Sequence, residues 1–334
     1  MAGVCGKDPS GVPAAGWVIL GMPFGRWQNV GNMLIRQLLD RLGAVHKSRL
    51  RDFYYGRKDQ FIQRFFSYGP EELENALIKL GVRNGDTVLL HSSFKHSNGF
   101  RGSAEAVIDI FLGAVGADGN LLMVSLPYLS STYEYLRTLQ CFNVRHTVSR
   151  MGLISEIFRR RHNVLRSLHP THPVLACGPK ANWIIAGHEH CMSPCGAGTP
   201  FEKLLLLNGK VVFFDAPFAT FTFFHYLEDL LVDRLPFPLY YPDPFEVDVI
   251  DDEGRRSSVK TLVFSPEVIR RRRFKVLEDQ LAKERLIRAT RIGNTHLLSI
   301  EVVKAVECSQ NMFGRGTLFY DLSCRAALGS SLSK

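Results

Sequence analysis

The stretch from residue 86 to residue 126 limits the possible folds more than any other part of the chain. Asn84-Gly85 makes a turn, and D-T-V-L-L (Asp86 to Leu90) enters as a short buried strand. A loop of small polar residues follows, His91-Ser92-Ser93 and then Gly99 to Ser103, and it opens a helix over Ala104 to Val115. Asp118-Gly119 turns the chain into a second strand, Asn120 to Leu126. Strand, small-polar loop, helix, strand is the signature of an α/β layer, in which ligands sit at the carboxyl ends of the strands.

The rest of the chain keeps that alternation. Pro70 to Leu80 reads as a helix with acidic residues in its first turn and Gly81 as its stop. Further helices are expected at Met151 to Arg161, Lys180 to Gly187, Phe201 to Leu207 and Phe221 to Leu231. Strands are expected at Pro173 to Cys177 and Lys210 to Phe214. Phe245 to Ile250 and Ser257 to Phe264 flank a D-D-E-G turn as a hairpin. Arg270 to Glu284 reads as one basic helix, and Arg291 to Val302 contains a terminal strand. Residues 1–57, with an apolar stripe on a helix near Asn32 to Leu42, read as an N-terminal appendage. Residues 58–305 form the main domain, and residues 306–334 are a tail packing on it or trailing from it.

Composition narrows the class. With 334 residues, 46% hydrophobic, 22% charged and 23 Phe, the chain can bury a sizeable core and is not disordered. No stretch reaches the roughly 18 uninterrupted apolar residues of a membrane span. Ala14 to Met22 is apolar, but only Lys7 precedes it and no small-residue cleavage site follows, so no signal peptide is expected. Seven scattered cysteines suit reduced thiols and a cytoplasmic setting. The net charge of +9 gathers in Arg159 to Arg161 and Arg270 to Arg273. Nucleic acid is one reading of such runs; solvated helix faces are the commoner one, and no recognition motif accompanies them.

Four stretches could carry chemistry. The loop H-S-S-F-K-H-S-N-G-F-R-G-S-A-E opens a helix whose N–H groups suit a phosphate, although its spacing is neither a Walker loop nor a dinucleotide fingerprint. An ordinary strand-to-helix turn with a capping serine is the better reading of the loop taken alone. R-S-L-H-P-T-H (Arg166 to His172) sits between helix and strand, stiffened by Pro170 and Pro173, and a loop histidine there can act as a base near neutral pH. His225 and Glu228 stand at i and i+3 on an otherwise apolar helix, where an inward glutamate needs a partner. A histidine from elsewhere in the chain is the natural one; a helix edge facing water is the alternative. His188, His190, Cys191 and Cys195 match no zinc spacing, so a polar loop is the better reading and no metal is expected.

Several of these stretches together resemble the aminoglycoside N(3)-acetyltransferase family, a fold distinct from the GNAT enzymes. They are L-G-V-R-N-G-D-T-V-L-L-H-S-S at 80–93, A-E-A-V-I-D at 104–109, S-R-M-G-L-I-S-E-I-F-R-R at 149–160, R-S-L-H-P-T-H-P-V at 166–174, G-A-G-T-P-F-E-K-L-L-L-L-N-G-K-V at 196–211 and F-F-H-Y-L-E at 223–228. The resemblance covers about residues 58 to 305. It implies a mixed central β-sheet flanked by helices, and acetyl transfer from acetyl-CoA to an amine by direct attack in a ternary complex. By position, Ser92, Ser93, Gly102 and Ser103 would hold the phosphate and pantetheine of acetyl-CoA, with Arg150, Met151 and Gly152 lining the same channel. His169 would be the general base, Glu228 its orienting carboxylate, and His172 and Thr222 polar neighbours. The implied acceptor is a small-molecule amine, sugar-like or antibiotic-like, with antibiotic resistance as the associated role. Neither nucleic acid nor membrane is an expected partner, and a homodimer is left open. The readings kept beside this one are another acyl-CoA as donor, and a non-catalytic relative that binds CoA or carbohydrate.

Overall fold

A computed structural model describes residues 44–95, 98–129 and 131–322. The helix expected near Asn32 to Leu42 and the last part of the tail lie outside the described residues. The chain divides into two compact units, Met1–Lys58 and Asp59–Lys334, with the boundary inside α1 (Ala44–Phe65).

The second unit alternates as the sequence suggests. In chain order it runs α2 (Pro70–Lys79), β1 (Thr87–Ser92), α3 (Ala104–Val115), β2 (Asn120–Val124), α4 (Thr132–Thr138), β3 (Phe142–Asn143), α5 (Leu153–Arg159), β4 (Leu165–Arg166), β5 (Val174–Cys177), α6 (Ala181–Ile185), α7 (Pro200–Leu206), β6 (Lys210–Phe214) and α8 (Phe224–Leu230). It continues with β7 (Phe245–Ile250), β8 (Arg256–Thr261), α9 (Pro266–Arg271), α10 (Phe274–Lys283), β9 (Ile287–Ile292), β10 (Thr295–Glu301) and α11 (Val302–Gly314).

Seven strands form one mixed sheet in the order β4-β5-β2-β1-β6-β10-β9, and β3-β7-β8 form a small second sheet. The central strands of the large sheet, β5, β2, β1 and β6, are buried on both faces, which explains why they read as continuous apolar runs. Leu89, Leu122 and Phe213 point into one core layer with Phe224, Leu227 and Leu277. Val88, Leu121 and Phe214 point into the other with Leu73, Phe111 and Phe158. This is helix–sheet–helix layering, the mixed sheet flanked by helices that the resemblance implies.

Strand direction gathers the site. β1 is parallel to both β2 and β6, so Ser92, Val124 and Phe214 end at one edge. β5 is antiparallel to β2 with Val174 opposite Val124, so the loop before β5, which carries H-P-T-H, begins at that same edge. The chain leaving β6 there leads into α8, which carries His225 and Glu228.

Two expectations need correction. Arg270 to Glu284 is two helices, α9 and α10, rather than one. Ser265 caps α9 by accepting from Val268 N–H at 3.2 Å, with Pro266 in the first turn. The break falls at Arg272 and Arg273, where Arg273 N–H donates to Phe319 O at 2.9 Å. The solvated-face reading of the run holds for Arg270 and Arg273, which are exposed, and fails for the other two: Arg271 is buried, and the Arg272 side chain is only 9% exposed. α11 runs through residue 306 and buries Cys308, Met312 and Phe313.

Candidate functional site

The two histidines of H-P-T-H are both buried, and they are not alike. At His169 the Nδ1 atom accepts from the backbone N–H groups of His172 (3.2 Å) and Thr171 (3.4 Å), with the Thr171 hydroxyl at 3.3 Å. Backbone N–H can only donate, so the proton of the neutral ring sits on Nε2, and that atom has no partner among the described residues. The ring stacks on His188 with centroids 4.4 Å apart. Burial, then the neighbouring His188 and His172, hold the His169 pKa well below the ordinary value. A neutral ring with its proton already on Nε2 and its Nδ1 lone pair engaged has no free site for another proton. The stiff loop, set by Pro170 and Pro173, folds its own amides back onto that nitrogen.

His188 completes this half of the cluster. Val174 N–H donates to Ser167 Oγ at 2.9 Å, Ser167 Oγ lies 2.9 Å from His188 Nδ1, and His188 Nε2 lies 3.1 Å from the Pro194 carbonyl. The carbonyl only accepts, so Nε2 carries the proton and Ser167 donates to Nδ1. Burial pushes the His188 pKa down to about 3. This residue from H-E-H-C-M-S-P-C therefore ties the polar loop to the H-P-T-H strand. His172 bonds the Thr171 hydroxyl through Nδ1 at 3.0 Å and meets His225 edge-on, with ring centroids 6.0 Å apart.

The carboxylate is placed elsewhere. Glu228 is fully buried, and its partners are His225, Arg272 and Tyr320 rather than His169. Nδ1 of His225 donates to Oε2 at 2.8 Å. Arg272 spans both oxygens, Nε to Oε1 and Nη2 to Oε2, each at 2.8 Å, and the Tyr320 hydroxyl donates to Oε1 at 2.8 Å. The pairing of Glu228 with His169 expected from the resemblance is thus replaced by one within the helix. The reason is local: i and i+3 face the same side of α8, and no rearrangement of the chain is needed to join them. Burial alone would raise the Glu228 pKa, but Arg272 and then His225 outweigh it and hold the carboxyl below its usual range. Burial, then the Arg272 charge, lower the His225 pKa against the opposing pull of Glu228. His225 is therefore a neutral imidazole at pH 7, with its proton on Nδ1 and its Nε2 lone pair unbonded among the described residues. Its side chain is 15% exposed, whereas Glu228 is sealed.

Thr222 lies on the turn into α8, its carbonyl accepting from His225 N–H at 3.0 Å and its own N–H donating to His91 Nε2 at 3.3 Å. His91 is buried near the end of β1 against Phe213, and burial, then His225, push its pKa down to about 3.

On the cofactor side, Ser92 ends β1 and Ser93 N–H donates to Phe214 O at 2.9 Å, fixing the loop to the β6 end. Ser103 caps α3, its hydroxyl accepting from Ala106 N–H at 3.2 Å. Glu105 leans on the same turn, its own backbone N–H and then the Ser103 hydroxyl lowering its pKa, so this helix start already holds an anion. Gly102 answers to packing: a Cβ there would meet the buried Phe100 ring at 2.5 Å. Arg150, Met151 and Gly152 form a more open strip. Arg150 N–H donates to Leu126 O at 2.8 Å beyond the β2 end. Gly152 has φ +107 with nothing within 4 Å of an added Cβ, so its backbone is free to approach a ligand. Beneath it Ser155 donates to Val124 O, and the Ser149 and Ser155 hydroxyls lie 2.9 Å apart.

Sequence reasoning left out Arg272, Tyr320, His91, His188 and Arg166 as site residues. Arg166 spans the Val144, Thr147 and Ser125 carbonyls and holds the 144–149 loop against the β2 end. The one signal for Arg272 was the four-arginine run, in which a basic residue turned inward looks like its neighbours. Nothing in the sequence near residue 320 marks its tyrosine. The Arg159 to Arg161 run, by contrast, is spent on Glu156 and Asp109.

A layered mixed sheet with a sealed glutamate, a paired imidazole and an open glycine strip at one edge defines an α/β protein with a buried polar cluster at the carboxyl ends of its strands. The model of the family described as aminoglycoside 3-N-acetyltransferase matches residues 89–314, and the chain belongs to that family. It is 31% identical over 170 residues to an aminoglycoside N(3)-acetyltransferase III of Salmonella sp, covering 47% of this chain and 58% of that protein. The chain thus spans little more than half the length of the first curated relatives it matches. It is 25% identical over 266 residues to the SPbeta prophage-derived aminoglycoside N(3')-acetyltransferase-like protein YokD of Bacillus subtilis (strain 168), covering 74% of this chain and 93% of that one. The solved structure of aminoglycoside acetyltransferase AAC(3)-Xa shares the fold with a TM-score of 0.63 at 22% identity, over 77% of this chain and 96% of that one. No helix among the described residues is long and apolar enough to cross a membrane.

Proposed function

We propose that this protein transfers an acetyl group from acetyl-CoA to an amine of a sugar-like small molecule, by direct attack in a ternary complex, with His225 as the proton acceptor. The observation that carries this is the His225–Glu228 pair, an imidazole whose Nδ1 proton is held at 2.8 Å by a sealed carboxylate and whose Nε2 lone pair is left available. That is how a base is oriented in acyl-transfer sites: the carboxylate fixes the tautomer and stabilises the imidazolium that forms. An acceptor amine is mostly protonated near pH 7 and attacks only after losing that proton to solvent. His225 then takes the second proton from the nitrogen as it bonds to the thioester carbon, and returns it to the departing thiolate. The carbonyl oxygen then becomes an oxyanion that needs a donor, and the neighbouring backbone N–H groups and hydroxyls suit that task. The thioester carbon–sulfur bond breaks and the CoA thiolate leaves with a proton.

The membership in the family supports acyl transfer. One solved structure of similar fold, AAC-IIIb, is a binary complex with CoASH, and another, a mutant of aminoglycoside acetyltransferase AAC(3)-IVa, is in complex with a gentamicin. The residues here fit the co-substrate best along Arg150 to Gly152 and Ser92 to Ser93, where the backbone at Gly152 is open and Arg150 is exposed beyond the β2 end. His172 and Thr222 flank the base. His169 and His188 hold the wall behind it. The described cysteines are free thiols, and a cytoplasmic setting is part of this reading.

A thiol-release assay with acetyl-CoA and a panel of amines, aminoglycosides and amino sugars included, tests the reading. Acetyl-CoA-dependent thiol release with at least one amine, absent when the amine is omitted, is the expected result. No acetylation of any amine, with acetyl-CoA binding intact by calorimetry, would overturn it.

A further inference from the structure

The carboxylate behind His225 is held by residues from three separate parts of the chain, and one of them comes from beyond the family match. Residues 317–322 run as a strap after α11. The strap is laid across the α9–α10 break: Arg273 N–H donates to Phe319 O at 2.9 Å, Asp321 N–H donates to Arg271 O at 2.7 Å, and Arg271 Nη1 donates to Asp321 O at 2.9 Å. The Arg273 guanidinium pairs with the Asp321 carboxylate, and Phe319 is buried among Phe224, Phe313 and Tyr320. These contacts leave the Tyr320 side chain one place to go, inward, where its hydroxyl meets Glu228 Oε1 at 2.8 Å. The family model ends at residue 314, short of this strap.

We infer that the strap is a working part of the site: it delivers Tyr320 as a positioning residue that sets the strength of the His225 base through Glu228. This rests on the reading of His225 as the base.

The hydrogen-bond arithmetic supports it. Glu228 receives four donors, two from Arg272, one from His225 and one from Tyr320, so each oxygen accepts two. Every donor that draws on the carboxylate weakens its hold on the others, because the same negative charge is shared. With Arg272 bidentate and Tyr320 in place, Glu228 stays ionised yet is a mild partner for His225, and the imidazole remains neutral and ready to accept. Remove the Tyr320 hydroxyl and the carboxylate turns more fully to His225, favouring the imidazolium.

The other groups facing the pair do not substitute for that hydroxyl. His172 from the loop before β5 and His91 from β1 face His225 as neutral rings. Cys195, near Glu228 and Asp229, is a buried thiol whose pKa burial pushes up. Tyr240 gives its hydroxyl to Asp229 at 2.6 Å. The Tyr320 proton is itself secure, since burial and then Glu228 raise its pKa far above the ordinary value.

The experiment is the pH dependence of kcat/KM for acetyl transfer by the full chain, in the wild type, Tyr320→Phe, Tyr240→Phe and His225→Asn, with thermal melting of each. Phe keeps the ring and its packing, so Tyr320→Phe should fold. The expected result is an acid limb that moves up by about half a unit to one unit in Tyr320→Phe. The limb should stay in place in Tyr240→Phe. A lower melting temperature or rate in Tyr320→Phe with an unmoved limb would mean a structural role only and overturn the inference. An equal shift in Tyr240→Phe would overturn it as unspecific. If instead His225→Asn keeps the wild-type rate and limb, the base assignment beneath it is the part that fails.

Discussion

Two histidine sites stand at the same edge of the sheet, the His169–His188 stack and the His225–Glu228 pair, and they differ in what faces their imidazole nitrogens. On the H-P-T-H side, His169 and His188 are stacked, and each has its Nδ1 occupied by donors from a rigid loop or a serine. On the H-Y-L-E side, His225 gives its Nδ1 proton to a carboxylate and keeps Nε2 free. Burial is complete at His169 and His188 and slightly less at His225. The tautomer is what separates them: donors at Nδ1 make a histidine that braces a wall, whereas an acceptor at Nδ1 makes one that can take a proton.

The largest expected consequence concerns Glu228. Glu228→Gln keeps the shape but removes the charge that faces Arg272 and His225, and turns one of the two acceptor oxygens into a donor. Leaving Arg272 without its partner should cost about 3–5 kcal/mol in denaturant unfolding. Turnover of the folded variant should fall by about 10² to 10⁴-fold. A variant with near-native stability would show that the carboxylate is solvated in solution, and the contrast between the two pairs would break.

A second consequence belongs mainly to the bracing side. The His91 and His188 pKa values lie near 3 in the fold, against 6.5 for the ordinary imidazole. Above about pH 6.5 both folded and unfolded chains leave these rings neutral, so they add no pH dependence there. Between pH 6.5 and 3 the unfolded chain takes up protons that the folded chain refuses, and stability falls as pH falls. The slope is about 1.4 kcal/mol per pH unit for each ring, or about 2.7 for these two together. Urea unfolding at pH 7.5, 6.5, 5.5 and 4.5 measures it. A flat profile through pH 5 would mean that the braced rings are reached by water.

The smallest effect sharpens the cofactor side. Gly102→Ala places a methyl against the Phe100 ring, so it should cost about 1–3 kcal/mol of stability through overpacking. If Gly102 serves packing, the KM for acetyl-CoA of the folded variant stays at the wild-type value. A large rise in KM with unchanged stability would return this glycine to a phosphate-holding role.

The fold was legible because its signals are local. D-T-V-L-L, K-V-V-F-F and the Asp118-Gly119 turn are short-range patterns, and β6 begins and ends where its sequence says. Strand order was not legible, since β5 beside β2 is a pairing across fifty residues of chain with no mark in either strand. The site shows the same divide. His225 and Glu228 could be paired from their spacing, yet Glu228 could as easily be given to a distant histidine, because sequence states which residues share a helix face and not which tautomer a loop imposes. The His169 tautomer is decided by two backbone N–H groups that any residue types would supply. Arg272 was hidden in a run of like charges, and Tyr320 reaches Glu228 only through a strap whose course depends on Arg271, Arg273 and Asp321.

The contrast between the two histidine sites is tested most directly by kcat of His225→Asn and His169→Asn at saturating acetyl-CoA and a saturating amine. Asparagine retains an acceptor near the Nδ1 position, so His169→Asn can still receive the Thr171 and His172 amides. The expected result is a loss of about 10² to 10⁴-fold for His225→Asn, with His169→Asn keeping most of its turnover. A loss of that size in His169→Asn, with His225→Asn near wild type, would contradict the assignment and return the base to the H-P-T-H loop.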